Sequence, residues 1–96
     1  MTFENFLRTC ESSVLPKDLS IPLQSLWLLR NDDWHAAHDL IDHLTDLDSA
    51  YVHAYLHRVE GDLWNARYWY KQAKQPECKL SLADEWEHLL RHFLSK

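Results

Sequence analysis

His53-Ala54-Tyr55-Leu56-His57-Arg58-Val59-Glu60-Gly61-Asp62-Leu63-Trp64-Asn65-Ala66-Arg67-Tyr68-Trp69-Tyr70 holds the only glycine of a 96-residue chain. It also holds two of the seven histidines, two of the five tryptophans and three of the four tyrosines. Glu60-Gly61-Asp62 separates two runs with helical spacing. Glycine suits the left-handed position that ends a helix, and aspartate suits the cap that starts the next. The segment therefore predicts two antiparallel helices joined by a tight turn.

Working outward, the fourth helix starts near Ser49, after Thr45-Asp46-Leu47-Asp48, with Asp46 or Asp48 as its cap. The fifth carries Leu63, Ala66, Tyr70 and Ala73 on one stripe and stops at Gln75-Pro76-Glu77. Upstream, Asn31-Asp32-Asp33 makes a turn and cap for a third helix running to about Thr45, with Trp34, Ala37, Ile41 and Leu44 facing inward. Before it, Ser20 caps a second helix with Pro22 in the first turn, where a missing N–H is harmless. Leu23, Leu26, Trp27, Leu28 and Leu29 make that helix apolar over much of its circumference, which suits a central position. Thr2 caps a first helix with stripe Phe3, Phe6, Leu7 and Cys10. Ser81 caps a last one that buries Leu82, Trp86, Leu89, Leu90 and Phe93. Six helices in one domain is the reading: residues 1–18 as an N-terminal cap helix and linker, 19–76 as two αα-hairpins, and 77–96 as a C-terminal cap helix.

The totals agree with an all-α fold. One glycine and three prolines leave few turn positions for many short strands. Apolar residues make up 46% and charged residues 26%, as in folded globular chains. Ten Lys and Arg against 15 Asp and Glu give a formal charge of −5 without a basic run, so no nucleic-acid partner is expected. No apolar run approaches the ~20 residues that cross a bilayer, and the acidic, amphipathic N-terminus does not read as a secretory signal. No membrane association and a cytoplasmic location are expected. Cys10 and Cys78 lack metal or redox spacing and read as two reduced thiols.

Asn31-Asp32-Asp33-Trp34-His35-Ala36-Ala37 aligns without gaps on Glu60-Gly61-Asp62-Leu63-Trp64-Asn65-Ala66, and the register continues with Ile41 over Tyr70 and Leu44 over Ala73. Helices two to five thus read as two stacked hairpins. With Ala54, Gly61-Asp62, Ala66, Tyr70, Ala73 and Pro76 near the small-residue, turn, aromatic and terminal-proline positions, the chain resembles the tetratricopeptide-like superfamily. The likeness lies mainly in residues 50–76. In residues 21–47 Asp32 replaces the glycine. Residues 57–70 also resemble the signature HRxEGDxxNAxYWY of a family of small uncharacterised helical proteins. The first resemblance implies a helical-hairpin stack and a habit of binding peptides. Neither implies a reaction.

Three groups of residues are functional candidates. Tyr51, Tyr55 and Arg58 share a stripe of helix four, with Arg30 near the corresponding place in the preceding unit. In a tetratricopeptide-like unit this side faces the concave groove, where arginine and tyrosine suit a carboxylate or an acidic peptide. The leading expectation is therefore a small interaction module with a protein or peptide partner. The alternative is a small enzyme or ligand-binding protein with His57, Glu60, Asn65 and Tyr68 at the turn, where histidine serves as acid or base. A third reading makes Asp62 and Gly61 caps, with His57 bonded to Asn65 as a clamp on the hairpin. Whether there is catalysis the sequence leaves open.

His53 and His57, at i and i+4, are the metal candidates, but two ligands fall short of a zinc site. An antiparallel arrangement brings His35 level with His57 and His38 close to His53, although the apolar stripe of helix three argues against those faces meeting. No metal and no other cofactor is expected; one glycine leaves no phosphate loop or nucleophile turn. Trp64 and Tyr68 read as core against the last helix; exposed, they would mark a contact patch. Homodimerisation through tryptophan-bearing faces is a further reading.

Overall fold

The computed structural model describes residues Met1–Lys96. It has six helices and no strand: α1 (Phe3–Thr9), α2 (Ile21–Arg30), α3 (Trp34–Ile41), α4 (Leu47–Val59), α5 (Leu63–Gln72) and α6 (Leu82–Leu94). None is long and apolar enough to cross a membrane.

Local chemistry sets most of the boundaries. Thr2, Asp33, Asp46, Asp62 and Ser81 each accept a hydrogen bond from the backbone N–H three residues on, which satisfies an otherwise orphaned donor in the first turn. Asp46, not Asp48, is the cap of α4, so that helix begins at Leu47, earlier than its pattern predicts. Ser20 makes no side-chain cap bond. Instead Gln24 reaches back and donates to the Leu19 carbonyl at 2.7 Å. α3 stops at Ile41, short of the expected Thr45, with Asp39 and Asp42 at its electronegative end.

Three helices end in the same way. The residue after the C-cap is left-handed in each: Asp32 (φ 61°), Gly61 (φ 85°) and Lys74 (φ 58°). In each, the following N–H bonds to the carbonyl five residues back: Asp33 to Leu28, Asp62 to His57 and Gln75 to Tyr70. This is the Schellman arrangement. Asp32 thus takes the conformation of the glycine it aligns with, which aspartate tolerates better than most residues.

α2 pairs with α3 and α4 with α5, giving two helical hairpins joined through α3 and α4. Ser25 Oγ donates to the Ala37 carbonyl at 3.0 Å within the first, and Trp34 Nε1 donates to the Leu56 carbonyl at 2.8 Å between them. α6 lies across α1, α2 and α4 and makes no close backbone approach to α5. One core results, built on Phe6, Leu26, Ile41, Val52, Leu56, Leu89 and Leu90, all fully buried. α2 and α4 are central, as their apolar composition requires. The backbone of α5 packs on α4 alone and α5 reaches α6 through the Tyr70 side chain, so one of its sides faces solvent. Cys10 and Cys78 are unbridged.

Candidate functional site

The expected groove is occupied by the chain itself. α6 lies on the side of α4 that carries Tyr51, Tyr55 and Arg58. Tyr51 is buried with its ring against Phe93 and His92. Tyr55 Oη donates to the Leu82 carbonyl at 2.7 Å, and burial with the Glu85 charge pushes its phenol up to about 12. Arg58 donates through Nη1 to Glu85 at 2.7 Å and through Nη2 to the Leu80 carbonyl. Arg30 lies over the Trp86 ring at 5.0 Å.

Glu85 anchors this closure, and nothing in the sequence reading singled it out. It is 0% exposed, and Tyr70 Oη donates to its second oxygen at 2.5 Å. Burial and this bond to a carboxylate raise the Tyr70 phenol well above its ordinary range. A signal was available: Glu85 stands three residues after Leu82 and four before Leu89, a carboxylate inside an apolar stripe, and such a group demands partners. What remains of the groove is a shallow cleft of about 460 Å³, where Arg30 and Tyr55 meet Leu29, Asp32, Val59, Leu82, Ala83 and Trp86.

At the turn, the four residues expected together are divided. His57 Nδ1 donates to Glu60 Oε1 at 2.6 Å. Asn65 does not bond His57. Its Nδ2 donates to Asp62 Oδ2 at 2.6 Å, and this bond with the Asn65 backbone N–H holds the Asp62 carboxyl below its usual range. The expected His57–Asn65 clamp across the hairpin is absent: the His57–Glu60 bond stays within the end of α4 and the Asp62–Asn65 bonds within the first turn of α5. Tyr68 lies away from all of them on the outer side of α5. His57 is buried and lines neither cleft.

Histidines from two helices do meet. His53 and His57 stack at 4.8 Å between ring centres, and His38 from α3 closes on both, its Nε2 3.1 Å from His53 Nε2. His35 stays exposed, with its ring edge-on to Trp34. Trp34 stacks on His38 at 4.9 Å and Trp69 on His53 at 4.0 Å. The stripe of α3 does not keep His38 away, because Trp34 and His38, at i and i+4, together form the side of α3 that meets α4. His53 is 3% exposed, and burial, then the neighbouring His57 and His38, lower its pKa to about 4.

No family model, curated protein or solved structure matches the chain.

The outer side of α5 departs most from expectation. Trp64 is 73% exposed and Tyr68 47%, so they are not core against α6. The reason is topological: α6 crosses α1, α2 and α4, and nothing packs on α5 opposite α4. Trp64 and Tyr68 border an open cleft of about 420 Å³ with Arg67, Tyr70, Lys71, Gln75 and Glu77. Arg67 Nε donates to Glu77 at 3.3 Å across it.

Proposed function

We propose that this protein is a small helical interaction module that binds an acidic peptide segment on the outer side of α5. One observation carries the reading: Trp64 and Tyr68 stand exposed beside a cleft bordered by two cations. Tryptophan, tyrosine and arginine are the residues that dominate binding energy at interfaces. Large aromatic groups left in water side by side on one helix are otherwise a liability. Arg67 and Lys71 favour a carboxylate-bearing partner despite the net negative charge of the chain. Arg67 already holds Glu77, so an acidic side chain has a ready-made site to exchange into. The Arg30–Tyr55 cleft is shallower in purpose: its tyrosine is committed to Leu82 and its arginine to Trp86.

The test is affinity capture with the full chain as bait, followed by affinity measurement on any peptide recovered. Trp64→Ala is expected to weaken binding by about 2 kcal/mol, roughly 30-fold, and Lys71→Glu to weaken it further in low salt. Arg30→Glu leaves binding unchanged. Partners that survive Trp64→Ala with Lys71→Glu but are lost with Arg30→Glu would move the site to the other cleft.

A further inference from the structure

We infer that His38, His53 and His57 form a three-histidine site for one zinc-class divalent ion, bridging the two hairpins between α3 and α4. The site is independent of the α5 surface. Its donors come from separate elements: His38 from the last turn of α3, His53 and His57 from successive turns of α4. Their ligand nitrogens all lie within 4.8 Å of one another. Tetrahedral zinc with Zn–N bonds of about 2.0–2.1 Å places its ligand nitrogens roughly 3.3 Å apart. His53 Nε2 and His38 Nε2 are already at 3.1 Å. Rotation of the half-buried His38 side chain completes the set.

The surrounding groups match what a bound imidazole needs. His57 gives its Nδ1 proton to Glu60, which fixes the tautomer and leaves Nε2 as the base. A carboxylate behind a ligating histidine is the common supporting arrangement in zinc sites. Trp69 stacks on His53 and holds its ring in place, while Trp34 lies stacked on His38. Trp34 is itself fixed by its bond to the Leu56 carbonyl. Asp39 and Asp42, exposed beside His38, add negative potential where a cation would enter. Water takes the fourth position, as in zinc sites with three protein ligands.

A packing role accounts poorly for the same groups. Two imidazoles facing through Nε2 share a single proton, where a bound ion gives each nitrogen its own bond. A phenylalanine at position 53 would stack on Trp69 without bringing imidazole nitrogens into the core. An all-imidazole donor set selects zinc, cobalt, nickel or copper over magnesium and calcium, which require oxygen ligands.

The experiment uses untagged full-length protein stripped with chelator and titrated with Co²⁺. The expected result is saturation at one equivalent, with the intense visible bands of four-coordinate cobalt, and displacement by Zn²⁺ but not by Mg²⁺. His38→Ala abolishes stoichiometric binding, and Glu60→Gln weakens it by roughly 10–100-fold. His35→Ala and His88→Ala, which remove exposed imidazoles on α3 and α6, leave it intact. A pale six-coordinate spectrum, no saturation, or undiminished binding in His38→Ala would overturn the assignment. The wild-type spectrum decides the matter even if a variant fails to fold.

Discussion

Lys74 and Gly61 occupy equivalent left-handed positions after two helices, yet only one of them suits the conformation. An L-residue there costs about 1–2 kcal/mol, reduced for glycine by its larger unfolded-state entropy of about 0.5–1 kcal/mol. Lys74→Gly is therefore expected to raise stability by about 0.5–1 kcal/mol in urea unfolding, and Gly61→Ala to lower it by a similar amount. A Cβ at position 61 would meet nothing within 4 Å, so the cost there is conformational rather than steric. The larger effect lies at Glu85. Glu85→Ala leaves the buried Tyr70 hydroxyl without its acceptor and takes the carboxylate from the partly exposed Arg58, a loss of about 1–3 kcal/mol. Gly61 was legible in the sequence because a helix stop depends on its neighbours alone. Glu85 was not, since its partners are 27 and 15 residues away and only the folded chain brings them near.

Among elements, α4 is where the titrating groups collect, and it makes the protein sensitive at both ends of the pH scale. His53 faces His57 on its own helix, His38 and Asp42 from α3, and Trp69 from α5. Its folded-state pKa, about 4, lies below the ordinary 6.5. The unfolded chain thus binds the extra proton first, and stability falls as pH drops from about 6.5 towards 4. For metal-free protein the loss is on the order of 3 kcal/mol, measurable as a shift in urea midpoint between pH 7 and pH 4.5 in chelator; His53→Phe should flatten it. At the other end, the Tyr55 phenol is raised to about 12 and Tyr70 is raised as well. Their contribution is intact below pH 10 and is lost as pH climbs towards 12, so unfolding in alkali should track the ultraviolet absorbance of tyrosinate. The caps Thr2, Asp62 and Ser81 follow from short-range pattern and could be read in advance, whereas the pattern leaves Asp46 as one of two choices with Asp48 and places Asp33 only within Asn31-Asp32-Asp33. The meeting of His38 with His53 depends on how α3 rotates about its axis, which an eight-residue pattern does not fix.

For the molecule as a whole, the helix count and the all-α class follow from periodicity, but the placement of α6 does not. Its apolar stripe fits any large apolar face, and α2, α4 and α5 all offer one. Choosing α2 and α4 buries Tyr51 and Tyr55, ties Arg58 to Glu85 and leaves Trp64 and Tyr68 in water, which reverses the expectation for both groups. Aromatic residues default to core in a sequence reading, and no local rule signals the exception. Hydrogen exchange at the indole N–H groups of the wild-type protein tests this placement without a partner or a substitution. Trp86 Nε1 donates to the Leu26 carbonyl beneath α6 and Trp34 Nε1 to the Leu56 carbonyl, whereas Trp64 is open to solvent. In D₂O the Trp86 and Trp34 signals should persist on the timescale of global unfolding while the Trp64 signal vanishes at once; a protected Trp64 beside a rapidly exchanging Trp86 would contradict the account.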